Sequence, residues 1–160
     1  MDVFISGVKK GVPGNPGELT GYFTSHDSCG SLSINNRYGV FGNIDDDYAC
    51  HQEIPMAMKH EVKKGPAEIY STTYGNEPEK YSIEIREINY STDDSSKNMV
   101  IHITDPRLLK KSGGIVQGMS GSPIIQNGKL IGAVTHVFVN DPSSGYAVFC
   151  ESMYETGRVS

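Results

Sequence analysis

The dipeptide Asn127-Gly128 separates two apolar runs, 123–126 (PIIQ) and 129–137 (KLIGAVTHV). Two residues that both tolerate positive φ, set between β-forming segments, specify a tight type I′ hairpin. A chain with this hairpin near its C-terminal end must build a sheet around it. The rest of the sequence fits that requirement. Residues 18–24, 53–58, 67–74, 79–90, 98–104 and 145–150 alternate or are rich in β-formers. In 82–88, Ile83, Ile85 and Ile88 nearly alternate with Glu84, Arg86 and Glu87, the pattern of a strand with one wet face. The polar run 91–97 reads as a loop. One short helix is expected over 105–111, with Asp105 as N-cap, Pro106 in the first turn and Gly113-Gly114 ending it. Many short strands and one short helix predict an all-β barrel or sandwich.

At 160 residues the chain suits one domain, 1–160, with its own core. Hydrophobic residues make up 37% and charged ones 21%, which places it among globular rather than disordered chains. The net charge of −5 and the lack of a basic block argue against nucleic acid as a partner. No apolar run reaches membrane-spanning length. The three cysteines, Cys29, Cys50 and Cys150, contain no CxxC pair and read as structural thiols.

The loop before the hairpin carries the chemistry. Gly118-Met119-Ser120-Gly121-Ser122-Pro123 sets one serine between glycines. A serine hydroxyl attacks well only when a base takes its proton and donors stabilise the product oxyanion. Gly118, with no Cβ, can turn its N–H to the point where the N–H of Ser120 also aims, which makes an oxyanion hole. Gly121 leaves room for substrate. A bare GxSG is weak evidence and also fits a structural turn. The hexapeptide with a correctly spaced hairpin favours Ser120 as nucleophile.

This segment resembles the C-terminal hairpin of trypsin-like serine proteases, where Gly-Asp-Ser-Gly-Gly-Pro precedes an apolar strand, a tight turn and a second strand. The resemblance implies a trypsin-like β-barrel. It makes Gly118 and Ser120 the oxyanion donors and Thr135, His136 and Val137 the edge that pairs with substrate backbone, with Thr135 near the catalytic acid. A closer resemblance covers nearly the whole chain. KKGVPGNPGELTGYF, YGVFGNI, IPMAMKHEVKKGPAEIYST, YSIEIREI, GGIVQGMSGSP and GAVTHVFVNDP look like segments of the stage IV sporulation protein B (SpoIVB) peptidases. That family implies a serine endopeptidase, preceded by a membrane anchor and a PDZ domain. It is secreted from the forespore into the space between the forespore membranes. There it cuts itself and a regulatory protein of a membrane-embedded processing complex, which activates a late mother-cell sigma factor. No cofactor is implied. A native start at Met1 would instead leave the chain cytoplasmic.

The family's catalytic histidine lies in a Gly-His motif upstream of the segment resembling MDVFISGVKKG. The resemblance therefore implies a barrel incomplete at its N-terminus, a fragment without its general base, and an exposed apolar edge open to self-association. Asp105, 15 residues before Ser120, matches the segment carrying the family's proposed acid, and it equally fits a helix cap. Of the five histidines, only His136 falls beside Ser120 by topology, with a packing or substrate-edge role favoured. His60 is expected to be solvated, His102 exposed on its strand, and His26 and His51 in loops. Asp45-Asp46-Asp47 reads as a solvated turn rather than a cation site, Asp141 as a turn former, and no metal site is expected. Three readings follow: a truncated serine endopeptidase, a protease-like module that holds a peptide by β-addition, or a structural β-domain.

Overall fold

The computed structural model describes residues 2–45, 53–90 and 96–158. Ten strands and two helices are formed among them. Strands β1 (Val3–Lys9) and β2 (Glu18–Phe23) make one hairpin, and β3 (Gly30–Asn36) and β4 (Gly39–Ile44) a second. Strands β5 (Gly65–Ser71), β6 (Glu79–Ile88), β7 (Met99–Ile103), β8 (Pro123–Gln126), β9 (Lys129–Phe138) and β10 (Asp141–Phe149) close a barrel in the order β10-β7-β6-β5-β8-β9. Helix α1 (Pro106–Ser112) links β7 to the serine loop, and α2 (Cys150–Arg158) follows β10.

Alternation in the sequence decides what fills the barrel. On β6, Tyr81, Ile83 and Ile85 are buried while Ser82, Glu84 and Arg86 are exposed. They meet Ile69, Met99, Ile101, Ile103, Ile124, Val134 and Phe149 in one core. Each such isoleucine stabilises the fold by about 2–5 kcal/mol relative to alanine, since truncation leaves a cavity as well as lost burial. The irregular step from Ile85 to Ile88 has a cause. The register with β7 shifts between Ile85 and Glu87, a bulge that brings Ile88 opposite Met99.

The hairpin at 127–128 forms as expected. Asn127 has φ 52° and Gly128 φ 77°, both positive as a type I′ turn requires. Helix α1 begins where Asp105 accepts the N–H of Arg107, and the N–H of Gly113 closes it on the carbonyl of Leu109.

Three expectations are corrected. Residues 53–58 do not form a strand: Met56 makes one isolated bridge to Leu130, and Lys59–Glu61 turn as a short 3-10 helix. Pro55 has no N–H to give to a ladder, which limits the pairing to a single bridge. His102 is half-buried rather than exposed, because its ring packs against β10 and its Nδ1 lies 3.0 Å from the Ser144 hydroxyl. Burial, with Arg86 nearby, pushes its pKa below the usual imidazole value. The third correction is α2, an unforeseen helix following the strand expected over 145–150. It braces the β3–β4 hairpin: a Cβ at Gly39 would lie 3.3 Å from Met153 Cε, and one at Gly157 3.1 Å from Phe41.

Candidate active site

The serine loop runs from Gly113 to Ser122 and is held from two sides. On one side, the N-terminal hairpin straps it. Gly11 N–H donates to Ser112 O, Gln117 N–H to Gly17 O and Leu19 N–H to Gln117 O, each at 2.8 Å. On the other side, Gly121 N–H donates to Val134 O at 2.8 Å and Val134 N–H to Ser122 O at 3.0 Å. Inside the loop, Met119 N–H reaches Val116 O and Ser122 N–H reaches Met119 O. The side chain of Met119 is buried and anchors the turn in the core. Ser120, the next residue, is exposed.

Both flanking glycines use conformations that other residues rarely adopt: φ is 95° at Gly118 and 90° at Gly121. Among the described residues, the N–H groups of Gly118 and Ser120 donate to no carbonyl or side chain. Two unspent amides flank the buried Met119; an oxyanion hole is built from two such donors when they aim at one point.

The Ser120 hydroxyl donates to the carbonyl of Thr135 at 2.8 Å. Thr135 is the extra residue of a bulge: His136 pairs with Tyr146 and Val134 with Ala147, so Thr135 has no partner on β10. A bulge re-aims the backbone, and here it turns that carbonyl to the serine. The Thr135 hydroxyl donates to Ser96 O at 2.8 Å. Strand β8 pairs with β9 only as far as Ala133, so among the described residues no strand covers the β9 edge beyond Val134 on that side. An extended peptide could add there.

Ser120, Gly121, Thr135 and His136 line one cleft of about 800 Å³. Its other walls were not legible as site residues in the sequence. They are the β3–β4 turn from Asn36 to Val40, Ser96 and Lys97, and Met153 on α2. The one local signal was Asn36, whose side chain accepts the N–H of Tyr38 in an Asx turn. His136 is exposed in this cleft, and Val137 is half-buried against the barrel core.

Asp105 does not line the cleft. Its buried carboxylate accepts from Ser82 N–H and from the N–H, Nε and Nη2 of Arg107, the last at 2.8 Å. The Arg107 hydrogen bonds hold its pKa down at about 2. The helix-cap alternative is the one these bonds describe. The Thr135 hydroxyl goes to Ser96 and not to Asp105.

Cys29 and Cys150 are unpaired thiols, and burial pushes the Cys150 thiol pKa up. His26 and His60 are exposed. Asp45 is exposed, while Asp46, Asp47, Cys50 and His51 lie outside the described residues. Asp141 accepts both the N–H and the hydroxyl of Ser143 at the start of β10. Among the described residues no helix is long and apolar enough to cross a membrane.

The model of the SpoIVB peptidase S55 family matches residues 1–154. The chain belongs to that family. Its function is accordingly of the peptidase type. No curated protein matches it. Among solved structures, the Rv3671c protease from M. tuberculosis in its active form is similar, with a TM-score of 0.57 and 18% identity over 96% of this chain and 70% of that one. At that identity the likeness speaks for the fold. The S55 chain is thus mostly β, with a closed six-stranded barrel of the trypsin-like protease kind.

Proposed function

We propose that this chain carries the nucleophile of a serine endopeptidase. One observation supports this above the others: exposed Ser120 stands between two positive-φ glycines, at a cleft, with the amides of Gly118 and Ser120 unspent. In this reading Ser120 Oγ attacks the scissile carbonyl. Its proton passes to a base, and the oxyanion takes up the two amides. The base then returns the proton to the leaving amine. The free edge of β9 from Thr135 to Val137 holds the substrate backbone extended.

Its base in this reading is the histidine of the Gly-His motif that the family resemblance implies, since no described histidine hydrogen-bonds the Ser120 hydroxyl. Two features support this. The Ser120 hydroxyl donates to a carbonyl rather than to an imidazole, and the cleft beside it is open. The substrates in this reading are proteins, the chain itself included, and the setting is sporulation signalling between the forespore membranes. The test is a protease assay on this chain, a form extended upstream through the Gly-His segment, and the extended Ser120→Ala form. Cleavage by the extended form alone supports the proposal. Cleavage that survives Ser120→Ala rejects it.

A second reading is a peptide-binding module without catalysis. It is favoured by the same Ser120–Thr135 bond, which occupies the hydroxyl as a structural tie would. In that case all three forms bind peptide and none cleaves it.

A further inference from the structure

From residue 113 to 122 the serine loop contains no charged side chain, so no ion pair sets its shape and its backbone hydrogen bonds must. Two of those bonds meet at one residue. Gln117 N–H donates to Gly17 O, and Gln117 O accepts Leu19 N–H, each at 2.8 Å, which makes a one-residue parallel bridge between Gln117 and Glu18. An antiparallel ladder uses every second residue of a strand, and Leu19 turns its N–H outward to the serine loop rather than to β1. The peptide unit from Gln117 to Gly118 is planar, with its C=O and N–H directed oppositely. Holding the Gln117 carbonyl on Leu19 therefore aims the Gly118 N–H away from the hairpin. Gly118 is exposed, and among the described residues that N–H donates to nothing. Glycine at 118 has no Cβ to resist rotation of the peptide before it, so residue type alone does not fix the amide. The bond from Leu19 does.

We infer that Leu19 is a positioning residue of the oxyanion hole: its backbone N–H, by holding the Gln117 carbonyl, keeps the Gly118 N–H turned to the oxyanion. The inference rests on the proposed function and deepens it. The two donors of the hole then have separate keepers. The Ser120 amide follows the buried Met119 and is held by the barrel, where Gly121 N–H donates to Val134 O at 2.8 Å. The Gly118 amide is held by the N-terminal hairpin. Leu19 itself is half-buried against the barrel core, opposite Val8 on β1, which fixes the donor in place. Without its bond the 117–118 peptide is free to rotate, and one of the two donors leaves the site while the fold stays.

The test puts leucic acid in place of Leu19 in the upstream-extended form, which keeps the side chain and turns the N–H into an ester oxygen. Leu19→Pro deletes the same N–H by a genetic route and is read in the same way. The control puts glycolic acid in place of Gly14, deleting the hairpin's equally short bond to Val139 O. The rate of fluorophosphonate labelling per folded molecule is expected to fall about 10–1,000-fold without the Leu19 N–H, the upper end being loss of a whole oxyanion donor. The control should label at the wild-type rate. The pH of half-maximal labelling reports the base and should not move in any form. Phenylboronic acid, whose tetrahedral adduct on Ser120 mimics the oxyanion, should shift the amide protons of both Gly118 and Ser120 in wild type, and only that of Ser120 in the Leu19 ester. Wild-type labelling by the Leu19 ester overturns the inference and leaves the proposed function standing. So does an equal fall in the Gly14 control, a moved pH midpoint, or a Gly118 shift that survives the Leu19 ester. Failure of Ser120 to label in the extended wild type removes the proposed function itself, and the role of Leu19 with it.

Discussion

Leu19 packs directly over Gly118: a Cβ built at residue 118 would lie 3.1 Å from Leu19 Cβ, on a backbone with φ 95°. The N-terminal hairpin therefore fixes the loop that carries the serine, and glycine is required there for both space and torsion. Gly118→Ala adds steric strain of about 1–2 kcal/mol from the left-handed backbone alone. If the Gly118 amide is an oxyanion donor, turning it away costs a further factor of about 100–1,000 in reaction rate. The expected outcome is a large fall in acylation rate with a melting temperature within a few degrees of wild type. An equal fall in both would show a merely structural role.

Asp105 supports stability in a pH-dependent way. Its folded pKa, about 2, lies below the ordinary value of 3.8. The carboxylate is thus preferred by the folded state, and its contribution is fully present above pH 3.8. As pH falls from 3.8 towards 2, protonation removes it. Urea midpoints measured across this window should drop for wild type and drop less for Asp105→Asn, which starts lower at neutral pH by about 1–3 kcal/mol. At neutral pH, Ser120 labelling per folded molecule in the upstream-extended form should be the same for wild type and Asp105→Asn. A loss of labelling beyond the unfolded fraction would return Asp105 to the catalytic role.

The Thr135 side chain and backbone have separate jobs. Its carbonyl accepts from Ser120 and its hydroxyl donates to Ser96. Thr135→Val keeps the shape and the carbonyl but removes the hydroxyl's hydrogen bond to Ser96 O, a cost of about 0.5–1.5 kcal/mol. Denaturant unfolding should show that loss. Ser120 should keep its reactivity, since the bond it makes is to backbone. A reactivity loss larger than the stability loss would contradict this division.

The two N-terminal hairpins leave apolar side chains in solvent. Phe23 is 63% exposed, Leu32 77% and Ile44 67%. Exposed strand edges carrying such residues favour association. Sedimentation velocity should give a coefficient that rises with protein concentration, and Leu32→Lys with Ile44→Lys should lower it. A single concentration-independent monomer would reject this.

The barrel was legible because its signals are local. The alternation at Ile83 and Ile85 and the Asn127-Gly128 turn are dictated within a few residues, and the structure forms a barrel strand and a tight turn there. In the serine loop the sequence showed only that Gly118 and Gly121 permit the positive φ found there. What the sequence did not reveal depends on distant packing. Residues 3–9, 30–36 and 39–44 pair as strands although most of their side chains stay exposed or half-buried, so burial left no clean alternation to read. Helix α2 meets Gly39 through Met153 and Phe41 through Gly157, contacts with a hairpin more than a hundred residues earlier that no local pattern announces. The cleft walls at Arg37 and Lys97 come from segments 60 residues apart, and only the folded chain brings them to Ser120.

The central claim is that Ser120 is a nucleophile whose base arrives from another segment. Intact mass after fluorophosphonate treatment tests it most directly, on the chain extended upstream through the Gly-His segment and on the extended Ser120→Ala form. The account predicts one adduct on the extended chain and none on its Ser120→Ala form. No adduct on the extended chain, or an adduct that persists without the Ser120 hydroxyl, would contradict it.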